Sequence, residues 1–200
     1  ACYDTGYPMG FFTHCILVLV LLLAAVEALA GGRGGVEIEK VDVDGIENFS
    51  RFDGPPGFAG APVGFGGATG DSAMPWLKGE GFRTVIDLRL AVEDDVAVNI
   101  EEERTAAEAA GLKYIHLPFD PKGSDLSVVQ EFLSVAGDEP HQPIYIHCNS
   151  ATRAAALWIV GRLLKDGIDV GQAGKEGEAI AEKPEEAIAF STSYVASQEQ

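Results

Sequence analysis

Apolar positions along this chain follow two periods. RTVIDL (83–88), LKYIHLPF (112–119) and PIYIH (143–147) are short, β-branched or aromatic runs bounded by Gly, Pro or polar residues, which predicts buried strands. Between them the period lengthens. SDLSVVQEFLSVAG (124–137) has apolar residues at 126, 129, 132, 133 and 136, a helical stripe. NIEEERTAAEAAG (99–111) predicts a helix capped by Asn99, with acids in its first turn and Gly111 as its stop. TRAAALWIVGRLLKDG (152–167) is almost wholly apolar to Leu164 and predicts a central helix. Shorter helices are expected in DSAMPWLKGEG (71–81), with Pro75 in the first turn, and near 171–182 and 184–190. VEIEKVDVDGIENFSRFD (36–53) alternates in part and predicts a short edge strand. GPPGFAGAPVGFGGATG (54–70) reads as an irregular surface loop pinned by Phe58, Val63 and Phe65.

Strands alternating with helices predict an α/β fold, a mostly parallel sheet flanked by helices in three layers. Ligands in such sheets sit beyond the carboxyl ends of the strands. Cys148 falls there, and Asp87 and Asp120 lie near the ends of the two preceding strands.

Composition changes this picture in two ways. The 200 residues carry a formal net charge of -17, which argues against a nucleic-acid footprint and against docking on an anionic membrane. The apolar run CILVLVLLLAAVEALA ends in small residues, and Ala28-Leu29-Ala30 fits a cleavage site. Residues 1–30 are therefore expected to be a signal peptide, or an N-terminal anchor if retained, giving a secreted or periplasmic chain. Residues 31–46 form a lead-in and 47–200 the domain. Cleavage removes Cys2 and Cys15, so Cys148 is left without a disulfide partner.

IHCNSATRAAALW (146–158) then becomes the stretch that carries chemistry. A thiol at a strand end, followed at once by a helix, faces the free N–H groups and the positive dipole of the first turn. Both stabilise a thiolate and bind an oxyanion. Arg153 enters the same turn, and its planar fork matches phosphate. The plainer alternative is a small buried core cysteine beside a salt-bridged arginine. His147 reads equally as a loop-fixing residue or a core histidine.

HCNSATR resembles the signature loop H-C-x-x-G-x-x-R of cysteine-dependent dual-specificity and protein-tyrosine phosphatases. It is closest to a bacterial beta-lactamase-hydrolase-like branch with a shortened loop. NFSRF, GFGGATG, LKGEGFRTVIDLR, YIHLPFD and IYIHCNSATRAAALW carry the likeness over roughly residues 47–182. The resemblance implies that Cys148 attacks phosphorus to give a thiophosphate intermediate. Arg153 would clamp the phosphoryl oxygens, and Asn149, Ser150, Ala151 and Thr152 would form the phosphate cradle. The general acid would be Asp120 or Asp125; the second also reads as a helix cap, and Asp87 reads as a partner of Arg89. No metal or other cofactor is implied. The expected partner is a phosphorylated small molecule or phosphoprotein.

Three features depart from the family pattern. Cys148 and Arg153 are separated by four residues where the standard loop has five. Ala151 stands near the usual glycine, where φ > 0 is expected. Ala154 replaces the usual hydroxyl, for which Ser150 or Thr152 could substitute. The same spacing resembles the rhodanese loop, so persulfide-based sulfur transfer is the alternative activity. A non-catalytic module of the same fold, binding an anion or a partner, is the third reading.

Overall fold

Among the described residues six short strands form one sheet, whose central strands are buried on both faces and whose edge strand is not. The computed structural model describes residues 37–54, 57–93 and 99–198; the expected leader lies outside them. The strands are β1 (Ile38–Lys40), β2 (Ser50–Phe52), β3 (Val63–Gly66), β4 (Thr84–Asp87), β5 (Lys113–His116) and β6 (Ile144–His147). Their order across the sheet is β1-β2-β3-β6-β4-β5. β1, β2 and β3 pair antiparallel, while β3, β6, β4 and β5 run parallel. The mostly parallel three-layer fold expected from the sequence is thus present.

Helix α1 (Met74–Gly79) follows a single 3-10 turn, with Pro75 in its first turn. Helix α2 (Ile100–Ala109) starts at Asn99, whose side chain accepts from the N–H groups of Glu101 and Glu102. Helices α3 (Ser127–Gly137), α4 (Thr152–Gly161), α5 (Val170–Ile180) and α6 (Pro184–Gln198) complete the set. Helix α4 continues into a π-helical stretch, Arg162–Asp166. No helix among the described residues is long and apolar enough to cross a membrane.

Alternation along the strands divides the core. Val85 and Tyr145 point to α1 and α2, where Met74, Leu77, Ile100 and Ala107 close one cluster. Ile86, Ile144 and Ile146 point to the other face, against Phe132, Leu157 and Trp158 of α3 and α4. Helix α4 is buried almost along its whole length because α5 and α6 cover the side that α3 and the sheet do not.

Two expectations are corrected. The segment 54–70 is not an irregular surface loop throughout: Val63–Gly66 is β3, fully buried and paired on both sides. Its glycines hid it, since Gly64 and Gly66 leave no apolar side chain for periodicity to register. The sheet also begins before residue 47, because β1 pairs with β2 and Val43 and Ile46 are buried.

Candidate active site

β6 ends at His147 and α4 begins at Thr152, so four residues turn the chain from the sheet into the helix. Cys148 opens that turn, its N–H donating to the Gly66 carbonyl at the end of β3 (3.3 Å). Ala68 N–H donates to the Asn149 carbonyl (3.1 Å), and Ser150 bridges Gly67. Ala151 is the N-cap of α4 and sits at φ 59, the left-handed conformation its position foretold. No side chain caps the helix, so the first-turn N–H groups lack intrahelical acceptors. The linker between α5 and α6 packs onto the turn. Glu182 N–H donates to the Ser150 carbonyl (3.2 Å) and Lys183 N–H to Thr152 Oγ1 (3.2 Å). Ser150 Oγ donates to the same Thr152 oxygen (3.1 Å).

Cys148 is covered: the residue is only 1% exposed and joins the core beneath α4. Arg153 is beside it. Burial opposes the guanidinium charge, but the hydrogen bonds of Glu93, the Cys148 sulfur and the Glu93 charge together raise the Arg153 pKa above its ordinary value. Glu93 takes Nη1 at 2.7 Å and Nη2 at 2.8 Å, a bidentate pair, while Nη1 also donates to the Leu88 carbonyl (3.1 Å). Asn149 Nδ2 donates to the same carboxylate (2.9 Å). Partial burial works against the Glu93 charge, but Arg153 and the Leu90 N–H outweigh it and lower its pKa.

A cavity of about 310 Å³ opens over this turn. Asn149, Ser150, Thr152, Arg153, Asp120 and Glu93 line it, Cys148 lies behind the lining, and Phe119 packs edge-on against Phe190 (5.0 Å between centroids) in its wall. Ala151 instead points into the core, 0% exposed. Of the two candidate acids, Asp120 lines the cavity, held by the Lys122 N–H on its Oδ1 (2.9 Å). Asp125 lines a neighbouring depression and accepts from Ser127 N–H at the start of α3 (2.9 Å), but lies one residue before Leu126, which takes the N-cap position expected of Asp125.

Asp87 and His147 belong elsewhere. Asp87 pairs with Arg89 (2.8 Å), accepts from Tyr114 Oη (2.6 Å) and is fully buried. His147 turns to the face opposite Cys148, stacks on Tyr145 and places Nε2 2.8 Å from Glu103 Oε1. The distance is that of an ion pair, yet the ring N–H is not aimed for a hydrogen bond. Asp87, Glu103 and His147 bring ligand-type atoms within 4.8 Å of one another. They do not suit a metal, because the Arg89 guanidinium already donates to both carboxylates.

Sequence reasoning missed Glu93, which lies in an acidic stretch on a 3-10 turn with no periodicity to single it out.

A family model described as DSP-PTPase phosphatase fused to NAD+ kinase matches residues 62–192. The chain belongs to that family. The beta-lactamase hydrolase-like protein of Agrobacterium fabrum is 29% identical over 94 residues, covering 46% of this chain and 21% of that protein. NAD kinase 2, chloroplastic, of Arabidopsis thaliana is 25% identical over 150 residues, covering 73% and 13%. The match therefore spans about a fifth or less of these relatives. P. aeruginosa TpbA has the same fold (TM-score 0.54, 17% identity, 80% of this chain and 89% of that one). So does the core catalytic domain of the PP-IP phosphatase SIW14 from S. cerevisiae (0.52, 17%, 68% and 76%). These matches give the chain a DSP/PTP-like phosphatase fold.

Proposed function

We propose that the protein hydrolyses phosphate monoesters through Cys148. The thiolate attacks phosphorus as the ester P–O bond breaks, and Asp120 gives its proton to the leaving oxygen. Water then attacks the thiophosphate, Asp120 takes a proton from that water, and the S–P bond breaks to release phosphate and restore the thiolate. Arg153 and the first-turn N–H groups of α4 stabilise the phosphoryl charge throughout. One observation carries the reading: a guanidinium and a carboxylate line one cavity at a helix N-terminus, and that same guanidinium interacts with the Cys148 sulfur behind the lining. A phosphorylated small molecule or a phosphoprotein suits it, and one structure of a TpbA variant holds pTyr. Export belongs to the same proposal, with the secreted chain beginning at Gly31; recovery of the protein only from the soluble intracellular fraction, with residues 1–30 still attached, would remove it.

The test is hydrolysis of p-nitrophenyl phosphate by the wild type and Cys148→Ser. The expected result is a loss on the order of a thousandfold or more, as for an enzyme deprived of its nucleophile. Undiminished turnover in the variant would remove Cys148 from the reaction. A wild type that binds phosphate but turns over no ester would leave a non-catalytic module.

A further inference from the structure

The turn from Asn149 to Thr152 is held from two sides by separate parts of the chain. On the sheet side, Ala68 N–H donates to the Asn149 carbonyl (3.1 Å). Glu47 pins that support in turn: its carbonyl accepts from Gly67 N–H (2.7 Å), and its N–H donates to the Ala68 carbonyl (2.9 Å). On the helix side, the linker after α5 supplies Glu182 N–H to the Ser150 carbonyl and Lys183 N–H to Thr152 Oγ1, both at 3.2 Å. A peptide unit is planar, so a carbonyl that is held fixes the direction of the N–H that follows it. The two supports therefore set the Ser150 and Ala151 N–H directions, on which the shape of a backbone anion cradle depends.

Asn48 joins the two supports. It follows Glu47 directly, and its Nδ2 donates to the Ile180 carbonyl (2.9 Å), 132 residues away in sequence. Ile180 ends α5, so its carbonyl is one of the last four that no intrahelical N–H can take. The bond thus anchors the linker where it leaves the helix, two residues before Glu182. Two features suit asparagine to this place. Its φ is 51, in the left-handed region that Asn enters more readily than most side chains. Its amide is oriented by a second contact, Lys40 Nζ to Oδ1 (3.4 Å), which leaves Nδ2 as the donor to Ile180.

Resting on the phosphomonoesterase reading, in which this turn grips the phosphoryl group, we infer that Asn48 is a positioning residue for that grip. It lies outside the cavity lining and acts by locking the α5–α6 linker to the Glu47 support, so that both carbonyl clamps hold one geometry. Without the bond the linker is released at its α5 end and the clamp on Ser150 loosens. The two core clusters, neither of which contains Asn48, stay closed.

Calorimetric titration of the whole chain with inorganic phosphate tests this on the wild type, Asn48→Gly, Asn48→Asp and Lys40→Met. Glycine keeps the left-handed backbone and deletes the amide. Aspartate keeps the shape but sets a carboxylate oxygen against the Ile180 carbonyl. Lys40→Met makes the same charge change as Asn48→Asp, removes the other contact of the Asn48 side chain and keeps its donor. Both Asn48 variants should bind phosphate roughly threefold to tenfold more weakly than the wild type, the range that one neutral hydrogen bond supports. Lys40→Met should stay within about twofold, since an exposed charge is screened. Urea unfolding of each variant gives its folded fraction, by which the apparent Kd is corrected, so a merely structural role leaves the corrected Kd unmoved. Wild-type affinity in both Asn48 variants after that correction, an equal loss in Lys40→Met, or no phosphate binding by the wild type overturns the inference. Binding does not require turnover, so the two proposals fail separately. A chain whose phosphate affinity depends on Asn48 yet which cleaves no ester sinks the phosphatase alone. One that cleaves p-nitrophenyl phosphate while its phosphate affinity ignores Asn48 sinks the positioning role alone.

Discussion

A guanidinium has five N–H donors, and how they are shared decides what Arg153 can grip. Nη1 donates to Glu93, to the Leu88 carbonyl and, at 3.4 Å, to the Phe119 carbonyl, and one Nη2 hydrogen goes to Glu93. Nε and the second Nη2 hydrogen take no oxygen acceptor among the described residues. These two lie on one edge of the fork, the pair that binds two phosphoryl oxygens at once. Glu93 therefore aims Arg153 through the other edge and leaves this one to the Cys148 sulfur and an incoming phosphoryl group. Glu93→Gln puts an amide NH2 against a guanidinium N–H and removes a charge-assisted hydrogen bond, typically about 1.5–3 kcal/mol. The expected outcome is a fall of roughly tenfold to a hundredfold in kcat/KM for p-nitrophenyl phosphate, with an unchanged circular dichroism spectrum. A variant as active as the wild type would show that the clasp does not orient the arginine. Cys148 and Arg153 were legible because they share one local motif. Glu93 was not, because its partner lies 60 residues away and only the fold brings the two together.

Whole elements were legible where side chains carried the signal. β4, β5 and β6 and helices α2, α3 and α4 lie where periodicity put them, and Asn99 caps α2 as its position required. β3 was not legible, and its glycines explain both the failure and the structure. A Cβ on Gly66 would collide with Tyr145 Oη, the hydroxyl that bonds Thr69 Oγ1 (2.7 Å), and one on Gly64 would press on Phe82 and Tyr145. The strand gives up its own side chains so that aromatic rings from β6 and the start of β4 can pack across it. Gly66 also accepts the Cys148 N–H, so the strand holds the turn at Cys148 directly. Gly66→Ala should accordingly destabilise the protein by about 1–3 kcal/mol, the usual range for forcing an atom into a filled core. Urea unfolding would show a lower midpoint with an unchanged slope. A midpoint within error of the wild type would mean that Tyr145 moves aside freely, contrary to its full burial.

At the scale of the whole molecule, the buried set of Asp87, Arg89, Glu103 and His147 ties β4, α2 and β6 together on the face away from the cavity, and it makes stability depend on pH from both sides. Two carboxylates and one guanidinium balance only when the imidazole is protonated. Burial raises the Asp87 pKa, but the charge of His147 and the bonds from Arg89 and Tyr114 prevail and bring it down to about 2 from an ordinary 3.8. A carboxyl with a depressed folded value stabilises the fold above its unfolded value. That contribution, about 2 kcal/mol by linkage, is lost as pH falls from about 4 to about 2. For His147 the sign reverses. Burial lowers its pKa, but Glu103 and then Asp87 raise it above 6.5. Its stabilisation is fully present below pH 6.5 and disappears as pH rises through the folded value. Stability measured by urea unfolding should therefore be greatest between about pH 4 and pH 6.5 and fall on both flanks. The acidic surface also weakens the fold as pH rises, since a net charge of -17 repels itself. His147→Gln separates the two effects. The variant keeps the self-repulsion and loses the titrating imidazole, so its curve should be lower in the acid window and flatter between pH 6 and 8. An equally steep alkaline decline in the variant would assign that limb to surface charge and leave the imidazole uncharged in its pocket.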